Sequence, residues 1–266
     1  MMERETGTTA RVLMVLRAVA EMQPEPTMKA LADRLNLPPS TMHRLLELLA
    51  EHGMVERDES TRTFRPAVEF FRIAALVVNR VSIRMLARPY LQAAARAVDE
   101  SAYLCVYDAN GGRMTFAATA TCSHLLDYRV PLDTPFSLVT GASGRSILAW
   151  VDKVRQDEII RSEIAAGELD QAARAQLEEA LIEVRARGYA QTFGQRIKGA
   201  VGIFAPVFDA AGTVTGSLGF TVPEMRYQAA LQQTLVSVAL EQAAALSGVL
   251  GYTQEPDALK RAGDTT

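Results

Sequence analysis

Three places in this sequence of 266 residues hold side chains of the kind that do covalent or phosphate chemistry. Gly141-Ala142-Ser143-Gly144 is similar to the turn that exposes a nucleophilic serine. That motif needs glycine two residues after the serine, and Arg145 stands there. The same triad order needs a histidine after the serine, and His43, His52 and His124 all precede Ser143. Gly194-Gln195-Arg196-Ile197-Lys198-Gly199-Ala200 spaces its glycines like a phosphate cradle. It lacks the Lys-Ser/Thr pair that holds phosphate and magnesium. Cys122-Ser123-His124 offers a thiol beside an imidazole. An ordinary loop Cys and His is the simpler reading, and two such groups are too few for a tetrahedral zinc site. No catalytic residue, metal or cofactor is therefore expected.

Non-covalent binding is better supplied. Ser143 and Gly144, near a helix start, would offer backbone N–H groups to an anion, with Arg145 adding charge. Gly199, Gly202, Gly216 and Gly219 would let backbone approach a ligand closely, or else mark a bulge or tight packing. Near the N-terminus, Ser40, Thr41, His43 and Arg44 form a second cluster. Arginine can bond guanine edges or phosphate, and Ser and Thr can do either.

The elements around that cluster give it a direction. Val12, Val15, Leu16 and Val19 repeat at helical spacing, and Gln23-Pro24-Glu25-Pro26 stops that helix. Thr27 is placed to cap a second helix with Met28, Leu31, Ala32 and Leu35 inward. Ser40 is expected to cap a third, with Met42, Leu45, Leu46 and Leu49 inward and Gly53 at its end. The outward face at the start of that helix is then Ser40, Thr41, His43 and Arg44. Strand, turn and strand follow over 54–65, bringing Arg62 and Arg65 onto a hairpin. Three short helices and a hairpin make a winged helix-turn-helix, whose third helix enters the major groove by its N-terminal end. The rival reading is a winged helix that binds protein. Residues 1–66 hold 9 basic and 10 acidic groups, so no broad basic surface is available there.

A helix over 67–82 joins this unit to the rest. Val68, Phe71, Ala75 and Val78 share one stripe, which reads as a dimer contact or as packing onto its own winged helix. The remainder, 83–252, opens with a helix over 83–98. β-rich stretches follow at 102–107 and 113–119, then a loop over 120–135 and helices at 141–151 and 152–166. A helix capped by Asp170 and ended by Gly188 leads to strands at 189–193, 201–208 and 213–222. A long last helix carries Leu231, Leu235, Val238, Leu246 and Val249. Strands at both ends with helices between describe an α+β sheet closed by helices. Residues 253–266 are polar and expected to be disordered.

Composition bounds the class. Hydrophobic residues are 48% and charged residues 22%, enough for a core without disulfides. The longest apolar run, Ile73 to Val78, is far short of the ~20 residues a membrane helix needs, and the N-terminus has no apolar leader. A cytoplasmic protein with reduced thiols and no membrane partner is expected. The net charge of −3 argues against coating nucleic acid by charge alone. Only Phe64 among the aromatic residues precedes position 67, so a small aromatic-poor unit is followed by a larger one.

In Leu31-Ala32, Leu37-Pro38, 40–46 and 53–57, and again in 87–91, 141–149, 187–189 and 199–209, the chain resembles the IclR family of bacterial transcriptional regulators. The likeness runs in the family's order over about residues 10–250. It implies a winged helix for operator DNA, a linker helix and a GAF-like α/β effector-binding domain, assembled as a homodimer or dimer of dimers. Such a chain would be a ligand-responsive regulator, a repressor of a catabolic operon, sensing a small organic acid or an aromatic metabolite. A sensor acting through protein contacts, or a Ser/Cys hydrolase, is the alternative. DNA contacts would fall on Thr27, Ser40, Thr41, His43, Arg44, Arg62 and Arg65. Effector contacts would fall on Leu126, Tyr128, Ala142, Ser143, Gly144, Ile147, Thr192, Gly199, Gly202, Gly219 and Thr221. Members that bind small oxo-acids use acidic, Cys and Ser anchors. Here those positions hold Thr192, Gly202 and Gly219, with Thr221 retained, which points to a bulkier, less polar effector with Tyr128 and Phe220 as neighbours.

Overall fold

Contacts divide the chain into two units, Met1–Ser82 and Ile83–Thr266. The computed structural model describes residues 7–78 and 82–253; the side chains of Val77 and Val78 also lie outside the described residues. The tail expected to be disordered lies outside them too, apart from Thr253.

The first unit is built on three helices, α1 (Thr8–Glu21), α2 (Met28–Leu35) and α3 (Pro39–Glu51). Their inward stripes meet in one core. Val15, Leu31, Met42, Leu45, Leu46 and Leu49 are buried there, each worth about 1.5–3 kcal/mol of transfer free energy. Thr27 caps α2 by accepting a hydrogen bond from Ala30 N at 3.3 Å. The expected Ser40 cap is corrected: α3 starts two residues earlier, with Pro38 at the cap position and Pro39 first in the helix. Proline suits that place because its missing N–H would have no partner there. The hairpin pairs β1 (Val55–Arg57) with β2 (Phe64–Pro66), Arg57 opposite Phe64. Helix α4 (Val68–Val78) follows, joined to the end of α3 by Glu69 N donating to Gly53 O at 3.1 Å. Val68 is 78% exposed and Phe71 63%, and Ala75, Ile73 and Leu76 are exposed as well.

In the second unit the strands are β3 (Ala102–Asp108), β4 (Arg113–Ala120), β5 (Pro135–Ser137), β6 (Ala190–Phe193), β7 (Ala200–Phe208) and β8 (Val214–Pro223). They form one antiparallel sheet in the order β5-β4-β3-β8-β7-β6. The first and last strands of the unit thus meet at its centre. β5 begins at Pro135, the last residue of the stretch expected to be loop.

Helices cover both faces. On one lie α5 (Ile83–Val98) and α9 (Ala229–Val249), over Leu104, Val201, Ile203, Leu218 and Phe220. On the other α6 (Gly141–Leu148), α7 (Lys153–Ala165) and α8 (Arg174–Arg187) enclose Tyr103, Cys105, Phe116, Ile147 and Phe204. Burial on both sides explains why the central strands show little polar alternation. Val249, expected on the inward stripe of α9, is 50% exposed, while Leu246 is buried and Leu250 packs on the core, so the inward stripe there leaves Val249 out.

Candidate functional site

The outward end of α3 carries Ser40, His43 and Arg44 exposed and Thr41 half-buried. Leu45 and Leu46, the next two residues, are locked in the core, so the helix presents this face in one orientation. Two of the basic groups are taken up internally: His43 Nδ1 lies 3.2 Å from Glu47, and Arg65 Nε donates to Glu56 at 2.6 Å. Arg44 and Arg62 make no ion pair among the described residues. Arg62 sits on the hairpin turn with φ of 58°.

That turn is set by Asp58, which accepts from Ser60 Oγ at 2.5 Å, Ser60 N at 2.8 Å and Thr61 N at 3.1 Å. The Ser60 hydroxyl, then the Thr61 and Ser60 amides, hold its carboxyl at about 2 instead of the usual 3.8. A lowered pKa means that the turn keeps its full order above the ordinary value and loses it as pH falls through about 2. An NMR titration of the Asp58 side-chain carbon is expected to show that low midpoint; an ordinary midpoint would contradict the turn as described.

In the second unit, β4, β6, β7 and β8 bring a small cavity to the start of α6. Thr192, Gly202 and Thr221 stand side by side in register across β6, β7 and β8 and form its floor. Phe116, Phe204 and Val130 supply apolar walls, and Gly141, Ala142, Ser143, Gln195, Arg196 and Ile197 close it. Phe116 meets Phe136 and Phe204 edge to face, with centroids 5.4 and 6.3 Å apart. The enclosed volume is about 20 Å³, room for roughly one water.

The start of α6 is not an open anion site. Ala142 N donates to Thr192 Oγ1 at 2.9 Å, and Gly141 N to Gln195 Oε1 at 3.3 Å. Arg145 does not line the cavity; its Nε donates to Val139 O at 3.0 Å, and burial pulls its pKa down.

Of the expected effector contacts, Ala142, Ser143, Thr192, Gly202 and Thr221 line the cavity. Tyr128 and Gly199 lie beside it on each other: Tyr128 Oη donates to Lys198 O at 3.3 Å, and a Cβ at Gly199 would come 3.1 Å from Tyr128 Oη. Four others stand elsewhere. Ile147 is core, and Leu126 is an exposed loop side chain. Gly144 and Gly219 serve packing: a Cβ would lie 2.6 Å from Leu138 O at the first and 2.0 Å from Ile203 O at the second. Phe220 is corrected as a neighbour, because it faces the α5 and α9 side of the sheet.

Sequence reasoning missed Phe116, Phe204 and Arg196. The only signal was an arginine within the glycine-bracketed loop 194–199, which the sequence presents as an incomplete phosphate loop.

Other chemistry is sparse among the described residues. His124 Nε2 lies 3.6 Å from Asp99 and 4.0 Å from Glu100, and Cys122 N donates to Ser101 Oγ at 3.0 Å. No group of three or more His, Cys, Asp and Glu is gathered to hold a metal, and no described helix is long and apolar enough to cross a membrane. A larger groove of about 760 Å³ runs between α5 and β4. It has no aromatic wall, and its Arg84 pairs with Asp133.

Known proteins match both units. The model for the bacterial transcriptional regulator IclR C-terminal region fits residues 75–248, and that for the IclR helix-turn-helix domain fits residues 8–59. The HTH-type transcriptional regulator BhcR of Paracoccus denitrificans is 29% identical over 238 residues, covering 89% of this chain and 84% of its own. The crystal structure of Pseudomonas aeruginosa HmgR superposes with a TM-score of 0.77 at 24% identity, over 93% of this chain and 99% of that one. The Agobacterium tumefaciens repressor BlcR gives 0.72 at 22% identity, over 93% and 98%. With a winged helix-turn-helix at one end and a helix-covered sheet at the other, each matched by its own family model, the chain belongs to the IclR family of DNA-binding transcriptional regulators.

Proposed function

We propose that this regulator reads paired operator half-sites as a homodimer, or as a dimer of dimers, and that a small organic acid or aromatic metabolite in the α6 cavity changes its grip on DNA. The observation that carries the reading is the exposed polar start of α3, set rigidly on a leucine core, in a chain whose second unit closes a cavity of aromatic and threonine side chains. The half-sites would lie about one helical turn, or a multiple, apart. Effector binding would act by favouring one dimer arrangement, and no covalent step is needed. DNA contacts are assigned to Ser40, Thr41, His43 and Arg44, flanked by Thr27 and by Arg62 and Arg65 on the hairpin. We propose repression of a catabolic operon as the sign of control, a reading supported by the description of BlcR as a repressor. The test is a gel-shift titration on operator DNA selected from genomic fragments by the purified chain, with and without aromatic acids and oxo-acids. A shift in operator affinity with an acid is expected; indifference to all of them would overturn the sensing role.

Pairing is assigned to α4, whose Val68, Phe71 and Ala75 lie exposed on one face. The Val78 side chain, expected on the same stripe, is outside the described residues. Phe71→Glu is expected to weaken self-association by about 30-fold or more, the loss of one aromatic anchor. Because Phe71 takes no part in the core, folding should be untouched. Sedimentation equilibrium reads the result, and an unchanged dimer would show that pairing lies elsewhere.

A further inference from the structure

Arg196 differs from the buried carboxylates of its unit, which each face an arginine; it shares with Arg145 the lack of a counter-ion among the described residues, but of the two only Arg196 lines the cavity. Glu100 is buried against Arg226, and Glu163 against Arg113. Arg196 meets no carboxylate among the described residues. Its Nη2 donates to two neutral carbonyls, Ser137 O at 3.0 Å and Thr140 O, both in the segment leading into α6. Its Nε–H is shut off from solvent with no acceptor. The guanidinium lies 5.0 Å from the centre of the Phe136 ring and 6.0 Å from that of Phe116. Burial pulls its pKa down, the sign of a cation lacking a counter-ion. None of the described residues lining the cavity is acidic.

A guanidinium drawn partly out of water without an anion is costly, and its planar fork matches a carboxylate in two parallel bonds. The Phe116 ring beside it in the cavity wall favours a flat apolar body over a small hydrophilic one. The cavity is too small for any such molecule as it stands, and Arg196 is part of what closes it. The loop that carries Arg196 begins and ends at Gly194 and Gly199, with φ of 63° and 78°. Glycine tolerates wide backbone changes at both points, so the loop can swing without breaking β6 or β7.

We propose that Arg196 is the anion anchor of the cavity, that it selects an aromatic monocarboxylate, and that it also seals the cavity while no ligand is bound. On binding, the carboxylate takes the guanidinium and frees the carbonyls of Ser137 and Thr140. Ligand arrival is thereby passed to the start of α6. This inference rests on the reading of the cavity as the effector site.

The test uses the full chain with benzoate, phenylacetate and the neutral isostere benzamide in calorimetry. At least one acid is expected to bind, benzamide about 30-fold or more weaker, and Arg196→Gln to lose acid binding by a similar factor. Gly202→Val fills the floor and should abolish binding of acid; circular dichroism checks that it folds. Acid binding that survives Arg196→Gln but not Gly202→Val would overturn the anchor and leave the cavity as the site. Acid binding untouched by a folded Gly202→Val would overturn the cavity itself. No binding of either acid to the unaltered chain would overturn the aromatic-carboxylate assignment. Independently of any variant's fold, the Nε–H resonance of Arg196 should move on saturation with the bound acid. A resonance that stays fixed would mean that Arg196 is a structural cap.

Discussion

Arg44→Ala is expected to lower affinity for the operator by about 5- to 150-fold, the equivalent of ~1–3 kcal/mol for one lost base contact. The expectation follows from packing. Arg44 precedes Leu45 and Leu46, which are buried, so the helix cannot rotate to hide it. It makes no ion pair within the described residues, so no internal partner has to be given up on binding. His43 and Arg65 differ, since each is held by a glutamate of its own unit. Their removal should cost less than removal of Arg44. Fluorescence anisotropy on the operator and on scrambled DNA separates the roles. A base contact is lost only on the operator, whereas a phosphate contact is lost on both and lowers the salt slope by about 1. Unchanged affinity on both would remove Arg44 from the interface.

The largest effect on stability is expected at Arg226. It follows β8 in a single 3-10 turn, Glu224–Arg226. From there Nε and Nη2 reach the two oxygens of Glu100 at 2.7 and 2.6 Å, and Nη1 donates to Leu126 O at 2.6 Å. Glu100 is 2% exposed. Among the described residues, Arg226→Ala would leave that carboxylate buried with His124 as its one remaining basic neighbour, at 4.0 Å. Breaking a buried pair on one side costs about 3–5 kcal/mol, and for a unit of this size that lowers Tm by roughly 6–20 °C. Replacing both partners, Glu100→Leu with Arg226→Met, should recover most of the loss, because the desolvation of both charges is then avoided. Calorimetry of the two variants decides it; a single variant with the Tm of the parent would contradict the pair as an anchor. The same change frees the carbonyl of Leu126. The loop should then exchange its amide hydrogens faster.

Much of this architecture is legible in periodicity. The stripe of α3, the span of α5, the Gly188 stop with φ of 79° and the strands β6 to β8 all follow from apolar spacing and turn residues. What periodicity could not reach was pairing in space. β5 is three residues long, begins with proline and exists because β4 offers it an edge, with Arg113 opposite Ser137. Which face Phe220 takes depends on its register with Ile203, and one step along the strand would have put it in the cavity. Gly219 looked like a place for a ligand and is instead a place for the Phe204 ring, whose Cγ lies 2.7 Å from where a Cβ would stand. Phe116 and Arg196 are far apart in the sequence, and only the closed sheet brings them together.

Net charge was the feature that weighed against nucleic acid. Its consequence is a constraint on mode: with 9 basic and 10 acidic groups in residues 1–66, affinity has to come from a few residues at one helix end. The most direct measurement is enrichment of DNA from a random-sequence pool by the purified full chain at physiological salt. The account predicts recovery of a two-fold related motif, with half-sites about one helical turn or a multiple apart, and loss of that recovery with Arg44→Ala. A pool that returns no sequence preference would contradict it and would make the winged helix a surface for protein contact.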